Sequence, residues 1–269
     1  MSRIKKAFKK RKKQGGKLFI PYLCAGDPDL KISLELLFEA ERAGADLIEV
    51  GIPFSDPTAD GPTIQSAILR SLNGGTKLKD MFELVSRFRE KSEVPVVMMT
   101  YYNPILRYGE EKFVEAARRA GVDGLLVVDL SPEEGLDFFK LEEEKGLESV
   151  LLAAPPTSLE RVSELSKIAG GFIYYVLVKG VTGVRDGYDA GLARRLGEVV
   201  SASEKPVVVG FGVSSYEKVK DYVEAIDGVV VGSALAKEIE ANPGDREAIL
   251  KKVGEKMVSL ARPLHGEGD

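Results

Sequence analysis

Eight short apolar runs punctuate the chain: LFIPYL, LIEVGI, VPVVMMTYY, GLLVVDL, SVLLAA, GFIYYVLV, PVVVGFG and GVVVG. They are continuous rather than alternating, and Val, Ile and Leu dominate them. A strand wetted on one side alternates apolar with polar, whereas a strand of a parallel sheet covered on both faces reads as an unbroken apolar run. Between the runs lie stretches with helical spacing. In LKISLELLFEAERAG, Leu34, Leu37, Phe38 and Ala40 fall on one side and Gly44 supplies the stop; in EEKFVEAARRAG, Phe113, Val114, Ala117 and Ala120 precede Gly121 in the same way. AGADLIEV from Ala43 and AGVDGLLVV from Ala120 share a succession of helix end, glycine, aspartate and strand, and AIDGVVVG from Ala225 repeats its second half. Strands alternating with helices in this number predict an α/β fold, a (β/α)₈ (TIM) barrel. A doubly wound open sheet would need fewer strands or a second domain, and no G-x-G-x-x-G opens the first helix. No linker-like stretch divides the chain, so residues 1–269 are expected to form one domain.

The first seventeen residues, MSRIKKAFKKRKKQGGK, stand apart because nine are basic and none is acidic. Ile4 and Phe8 sit four apart, so a helix over 1–16 can pack one face on a barrel that begins near 17 while its lysines stay in water. The segment lacks the apolar stretch of a secretory signal and the serines of an organelle transit peptide. Net charge over the chain is -4, which speaks against wholesale nucleic-acid binding. No apolar run approaches the ~20 residues of a membrane span, and a cytoplasmic protein is expected.

What the composition lacks narrows the chemistry. Cys24 is the one cysteine, so no internal disulfide can form, and it reads as a small buried hydrophobe. His265 is the one histidine and lies near the carboxyl terminus, which disfavours a Ser-His-Asp triad, a Cys-His pair or a histidine-ligated metal; no metal is expected. Lys179, closing the sixth run, could form a Schiff base but reads first as a loop charge. Carboxylates, tyrosines and backbone amides remain.

Barrel active sites form at the carboxyl ends of the strands, which draws attention to IEVGIPFSDPTADGP, from Ile48 to Pro62. Glu49 falls inside the second predicted strand, with Asp56 and Asp60 in the loop that follows. An unpaired ionised carboxylate there would be costly. It is therefore either an ion pair with a lysine or arginine, or a carboxyl with a raised pKa that can exchange protons near neutrality. The loop aspartates are also compatible with ordinary turn chemistry. Three late loops are rich in glycine: KGVTGVRDGYDAG, GFGVSS and VGSAL, the last two running directly into helical patterns. Amides at such helix starts bind anions, and barrels often hold phosphate after their last two strands. Tyr174 and Tyr175 are neighbours in a strand, so one ring enters the barrel and the other faces the helices.

Taken in order, IEVGIPFSDPTADGPTIQ, GVTG, GFGVS and VGSA strongly resemble the tryptophan synthase alpha subunit family, from about the first strand to the last helix. The resemblance implies a (β/α)₈ lyase that splits indole-3-glycerol phosphate into indole and glyceraldehyde 3-phosphate. It implies no cofactor in this chain, and a beta subunit partner that carries pyridoxal phosphate and condenses indole with serine, in an alpha2beta2 heterotetramer. It puts the catalytic glutamate at Glu49, the catalytic aspartate at Asp60, and an orienting tyrosine at Tyr174. It assigns phosphate-binding amides to Gly183, Phe211, Gly212, Gly232 and Ser233, and indole contacts to Tyr22, Ile64, Met99, Leu126 and Phe211. Pro53 and Asp56 lie on the loop that meets the partner. Two positions depart from the family pattern: Tyr22 stands where phenylalanine is common, and Phe172 replaces a frequent tyrosine.

On this reading Glu49 serves the proton transfers of a retro-aldol cleavage, Asp60 holds the indole N–H, and loops near 55–61 and 179–190 close over substrate. A phosphate-sugar isomerase or epimerase would share the glycine loops but not the strand-borne glutamate with its PFSDPTADGP loop. A mainly non-catalytic activating subunit would leave Glu49 in a structural ion pair.

Overall fold

The computed structural model describes residues 1–177, 190–210 and 215–266. Its strands are β1 (Leu18–Cys24), β2 (Ile48–Gly51), β3 (Val96–Thr100), β4 (Gly124–Val127), β5 (Glu148–Ser149), β6 (Leu151–Ala153), β7 (Ile173–Val176), β8 (Val207–Gly210) and β9 (Gly228–Val231). Each of the eight predicted runs contributes, the fifth as two pieces. All pair in parallel, in the order β5-β4-β3-β2-β1-β9-β8-β7-β6.

The break at Val150 is where the barrel closes. Glu148 and Ser149 pair with β4, whereas Leu151–Ala153 pair with β7. Val150 N donates to Leu125 O at 2.9 Å, and Gly171 N donates to Ser149 O at 3.0 Å. One stretch of chain thus bonds both edges of the sheet and leaves neither open.

The helices coat this barrel: α2 (Leu30–Arg42), α3 (Pro62–Asn73), α4 (Leu78–Arg89), α5 (Tyr102–Tyr108), α6 (Glu110–Ala120), α7 (Pro132–Glu144), α8 (Leu159–Ile168), α9 (Ala190–Ala202), α10 (Ser233–Ala241) and α11 (Arg246–Leu264). In α6 the four predicted positions are buried, and Gly121 ends the helix with φ 88°. In α2 the buried ridge is rotated from the predicted one: Ile32, Ser33, Leu36, Leu37 and Ala40 face the sheet, while Leu34 and Phe38 lie half-buried on the flank. Phe38 turns sideways onto Phe88 of α4, ring centroids 5.1 Å apart. The expectation that GFGVSS leads directly into a helix needs correction. After Ser215 come two short 3₁₀ turns, Tyr216–Lys218 and Val223–Ala225. Val219, Tyr222, Val223 and Ile226 keep helical spacing and are buried, but the bonds Val219 N to Tyr216 O and Tyr222 N to Val219 O tighten the path to i→i+3.

The unbroken apolar runs still divide by parity. Leu18, Ile20 and Tyr22 of β1 point into the barrel, whereas Phe19 and Leu23 join the layer between sheet and helices.

The basic helix α1 (Arg3–Lys13) plugs the amino-terminal end of the barrel. Ile4 and Phe8 belong to the same inner cluster as Leu18, Val97, Leu126 and Val208. Phe8 packs on Phe172 with centroids 5.6 Å apart, so this departure from the family pattern belongs to the barrel floor. Arg3 reaches Asp123 at 3.2 Å and Lys5 reaches Glu148 at 2.9 Å. Arg11 Nη2 lies 2.6 Å from Asp46, which also accepts from Phe19 N at 3.0 Å and stands 3.0 Å from His265 Nε2. The lone histidine therefore ties the last helix to the first through one aspartate. Among the described residues no helix is long and apolar enough to cross a membrane.

Truncating the plug should be costly. Phe8→Ala is expected to lower stability by about 3 kcal/mol through the cavity it opens, and Lys9→Ala, on the solvated face, to stay within about 0.5 kcal/mol. Urea unfolding of both variants measures the contrast.

Candidate active site

A cavity of about 340 Å³ opens where the strands end, large enough for a small ligand. Its walls are mainly apolar: Ile64 at the start of α3, Met99, Leu126, Val128, Leu152, Ala153, Val176 and Val230. Glu49, Asp60, Tyr22 and Tyr174 supply most of its polar chemistry.

Glu49 sits in β2, level with Tyr22 of β1 and Val97 of β3. It is 2 % exposed, and its Oε1 has no hydrogen-bond partner. Among the described residues no lysine or arginine pairs with it, so of the two sequence readings the ion pair falls away. Burial, helped by the nearby Asp60 charge, pushes its carboxyl up to about 8. The strand holds this acid without neutralising it.

Asp60 arrives from the loop after β2 and is half-buried. Tyr101 Oη donates to Asp60 Oδ2 at 2.6 Å and accepts from Ala59 N at 2.9 Å. Gln65 Nε2 donates to the Asp60 carbonyl at 2.8 Å. Burial raises the Asp60 carboxyl, and the Tyr101 hydrogen bond pulls it the other way. Tyr101 is the functional neighbour that sequence reasoning missed. It falls in a run read as strand, but β3 ends at Thr100 and Tyr101 caps α5 instead. An aromatic pair at a predicted strand's carboxyl end was the only signal.

The two inward tyrosines depend on glycines in adjacent strands. A Cβ on Gly210 would lie 2.0 Å from Tyr174 Oη, and one on Gly51 would lie 2.1 Å from Tyr22 Oη. Gly232 is equally constrained, since its Cβ would meet the Tyr22 ring at 2.8 Å. Tyr175, the outward neighbour, is fully buried in the helix-facing layer, so the strand parity read from sequence holds. Burial first, and then the Glu49 and Asp60 charges, raise the Tyr174 phenol well above its usual value, which keeps it a neutral donor.

Gly232 and Ser233 also wall the cavity. Gly232 caps α10 and Ser233 begins it, so the helix's unpaired first amides stand at the cavity wall. Gly183, Phe211, Gly212 and Lys179 lie outside the described residues, as do most of the predicted 179–190 lid and the GVTG motif. Tyr22, Ile64, Met99 and Leu126 all line the cavity. Pro53 and Asp56 do not: Asp56 is exposed and accepts from Ser55 Oγ at 2.5 Å, on the outer part of the loop that carries Asp60. Ala153, Ala154 and Thr157 complete the wall at the end of the fifth run, where small side chains leave room that an apolar pattern does not advertise. Among the described residues no group of His, Cys, Asp and Glu is arranged to hold a metal ion.

Residues 8–264 match the family model described as tryptophan synthase alpha chain. The chain belongs to the tryptophan synthase alpha chain family. It is 50% identical over 244 residues to the tryptophan synthase alpha chain of Geobacter sp. (strain M21), covering 91% of each chain. It is 42% identical over 264 residues to that of Caldanaerobacter subterraneus subsp. tengcongensis, covering 98% and 100%. The fold is similar to the tryptophan synthase subunit alpha of Legionella pneumophila str. Paris, with a TM-score of 0.88 at 36% identity over the full length of both. A chain of the Pyrococcus furiosus tryptophan synthase complex superposes with a TM-score of 0.82 at 40% identity, over 91% of this chain and 98% of that one.

The Glu49 environment predicts how stability depends on pH. Its folded-state carboxyl, at about 8, lies above the ordinary value of 4.5. Folding therefore takes up a proton between those limits, and the favourable contribution present below 4.5 is lost as pH rises towards 8. Glu49→Gln cannot lose it, so the variant should gain on the wild type with a slope of up to about 1.4 kcal/mol per pH unit. The difference should level off above the folded value. Denaturant unfolding of both proteins across this range measures it; a flat difference would refute a raised Glu49.

Proposed function

We propose that this chain is a cytoplasmic lyase that cleaves indole-3-glycerol phosphate to indole and glyceraldehyde 3-phosphate. One observation carries the reading: a buried carboxyl without an ionic partner among the described residues shares a mainly apolar cavity with a second carboxylate, in a chain of the tryptophan synthase alpha chain family.

The chemistry follows from what the bond requires. Indole C3 leaves poorly as a carbanion, so it must first take a proton. Glu49, held protonated near neutral pH by its burial, gives that proton and produces an indolenine with positive charge at the ring nitrogen. Asp60 accepts the ring N–H hydrogen bond and stabilises that charge. The Glu49 carboxylate then takes the proton of the adjacent side-chain hydroxyl. The carbonyl of glyceraldehyde 3-phosphate forms, the bond to C3 breaks, and its electron pair restores the aromatic ring. Glu49 ends as it began. Tyr174, a neutral phenol beside it, orients the carboxyl.

The α10 amides at Gly232 and Ser233 are suited to the phosphate. Gly183, Phe211 and Gly212 are proposed to complete that grip. Tyr22, Ile64, Met99, Leu126 and Phe211 would enclose the indole. Holding the anionic tail fixes the reacting carbons against the carboxylates, and remote binding energy then serves the chemical step.

Nothing in this acid–base sequence calls for a cofactor in the chain. Family membership supports a beta subunit as partner, in an alpha2beta2 assembly whose beta subunit would hold pyridoxal phosphate and receive the indole. Pro53 and Asp56 lie on the loop that delivers Asp60, so a partner seated there would act directly on a site residue. The unpaired state of Glu49 speaks against a purely activating subunit.

Incubation with indole-3-glycerol phosphate should release free indole, detectable by its absorbance. Glu49→Gln should lower the rate by about 10²–10⁴-fold with substrate binding retained. Asp60→Asn should lose about a hundredfold in turnover. Full activity in Glu49→Gln would exclude its role, and a loss confined to affinity in Asp60→Asn would reduce Asp60 to a binding contact.

A further inference from the structure

We propose that Tyr22 is a specificity-determining residue whose hydroxyl lets the cavity accept an indole ring bearing a hydrogen-bonding substituent, such as a hydroxyl, on its benzo ring. This inference rests on the reading of the cavity as an indole site.

Tyr22 is 7 % exposed and walls the cavity. Among the described residues its hydroxyl has no hydrogen-bond partner, in contrast to that of Tyr101 just after β3, which has two. The Tyr22 side chain borders the cavity, where a ligand can reach it.

The ring is held in a fitted slot, since both Gly51 and Gly232 would collide with it if either carried a Cβ. Tyr22 is level with Glu49 of the adjacent strand, and both wall the cavity together with Asp60, so the ring stands on its acid-bearing side. Packing alone does not account for the oxygen, since phenylalanine would fill the slot equally well.

The proposed reaction leaves this group idle. Glu49 handles the protons, Tyr174 orients it, and Asp60 takes the ring N–H. On the ring itself that N–H is the only hydrogen-bonding group of a plain indole, so towards the ring the Tyr22 hydroxyl finds a partner only when the benzo portion carries a second one. A site with an unmet hydrogen-bonding group discriminates between ligands that satisfy it and isosteres that do not.

Calorimetric titration tests this with indole, the four benzo-ring hydroxyindoles and the four matching methylindoles, on the wild type and on Tyr22→Phe. At least one hydroxyindole should bind the wild type about threefold to tenfold more tightly than its methyl counterpart, and Tyr22→Phe should abolish that preference. Phenylalanine adds no bulk, so the fold is kept; the ratio, rather than absolute affinity, is the readout. An unchanged ratio in the variant, or no preferred hydroxyindole in the wild type, would overturn the inference. Condensation of indole with glyceraldehyde 3-phosphate by the wild type, the reverse of cleavage, reports separately on the lyase reading. Its failure beside an intact binding ratio would sink the lyase and leave the role of Tyr22 standing.

Discussion

A carboxyl group buried in a barrel strand, with no cation beside it among the described residues, is the constraint around which this molecule is arranged. Ionised Glu49 would lack both water and a partner, so the fold favours its protonated form. The surroundings relieve none of this. Neutral phenols, apolar side chains and a second acid line the space. Such an arrangement persists only if the rest of the scaffold is stable enough to carry it, and it yields a carboxyl that keeps its proton near neutral pH.

Rigidity comes from both ends of the barrel. At the floor, α1 fills the interior with Ile4 and Phe8, and Asp46 gathers Arg11, the β1 backbone and His265. The strand carrying Glu49 therefore rises from a packed base. At the mouth, Gly51, Gly210 and Gly232 let the Tyr22 and Tyr174 rings lie flat against neighbouring strands. Gly232 has a double use, since it also caps the helix whose first amides face the cavity. Sequence reasoning assigned it to anion binding alone; the ring packed against it is an equal reason for glycine there.

Asp60 is held differently. It rides on a loop, and its geometry is set by Tyr101, which grips both the carboxylate and the adjacent amide and stacks near Phe54 at 5.3 Å. A strand-borne acid with no partner among the described residues and a loop-borne acid with one are two different environments in one cavity, suited on the proposed mechanism to two different tasks.

The hydrophobic pattern by itself determined the barrel, because parallel strands covered on both faces must be apolar throughout and helices must show one apolar stripe. The α1 packing face, the opposite facing of Tyr174 and Tyr175, and the placement of Glu49 in a strand were legible for the same reason: period and parity are local properties. Motif resemblance carried the family. Only the tertiary structure decided that Glu49 has no cation among the described residues, that the barrel closes at Val150, that Tyr101 rather than a strand residue holds Asp60, that the α2 ridge runs through Leu36, and that His265 belongs to the floor. Each depends on which residues distant in sequence become neighbours. Burial and hydrogen bonding act through space, and an unbroken apolar run carries no record of what will stand opposite it.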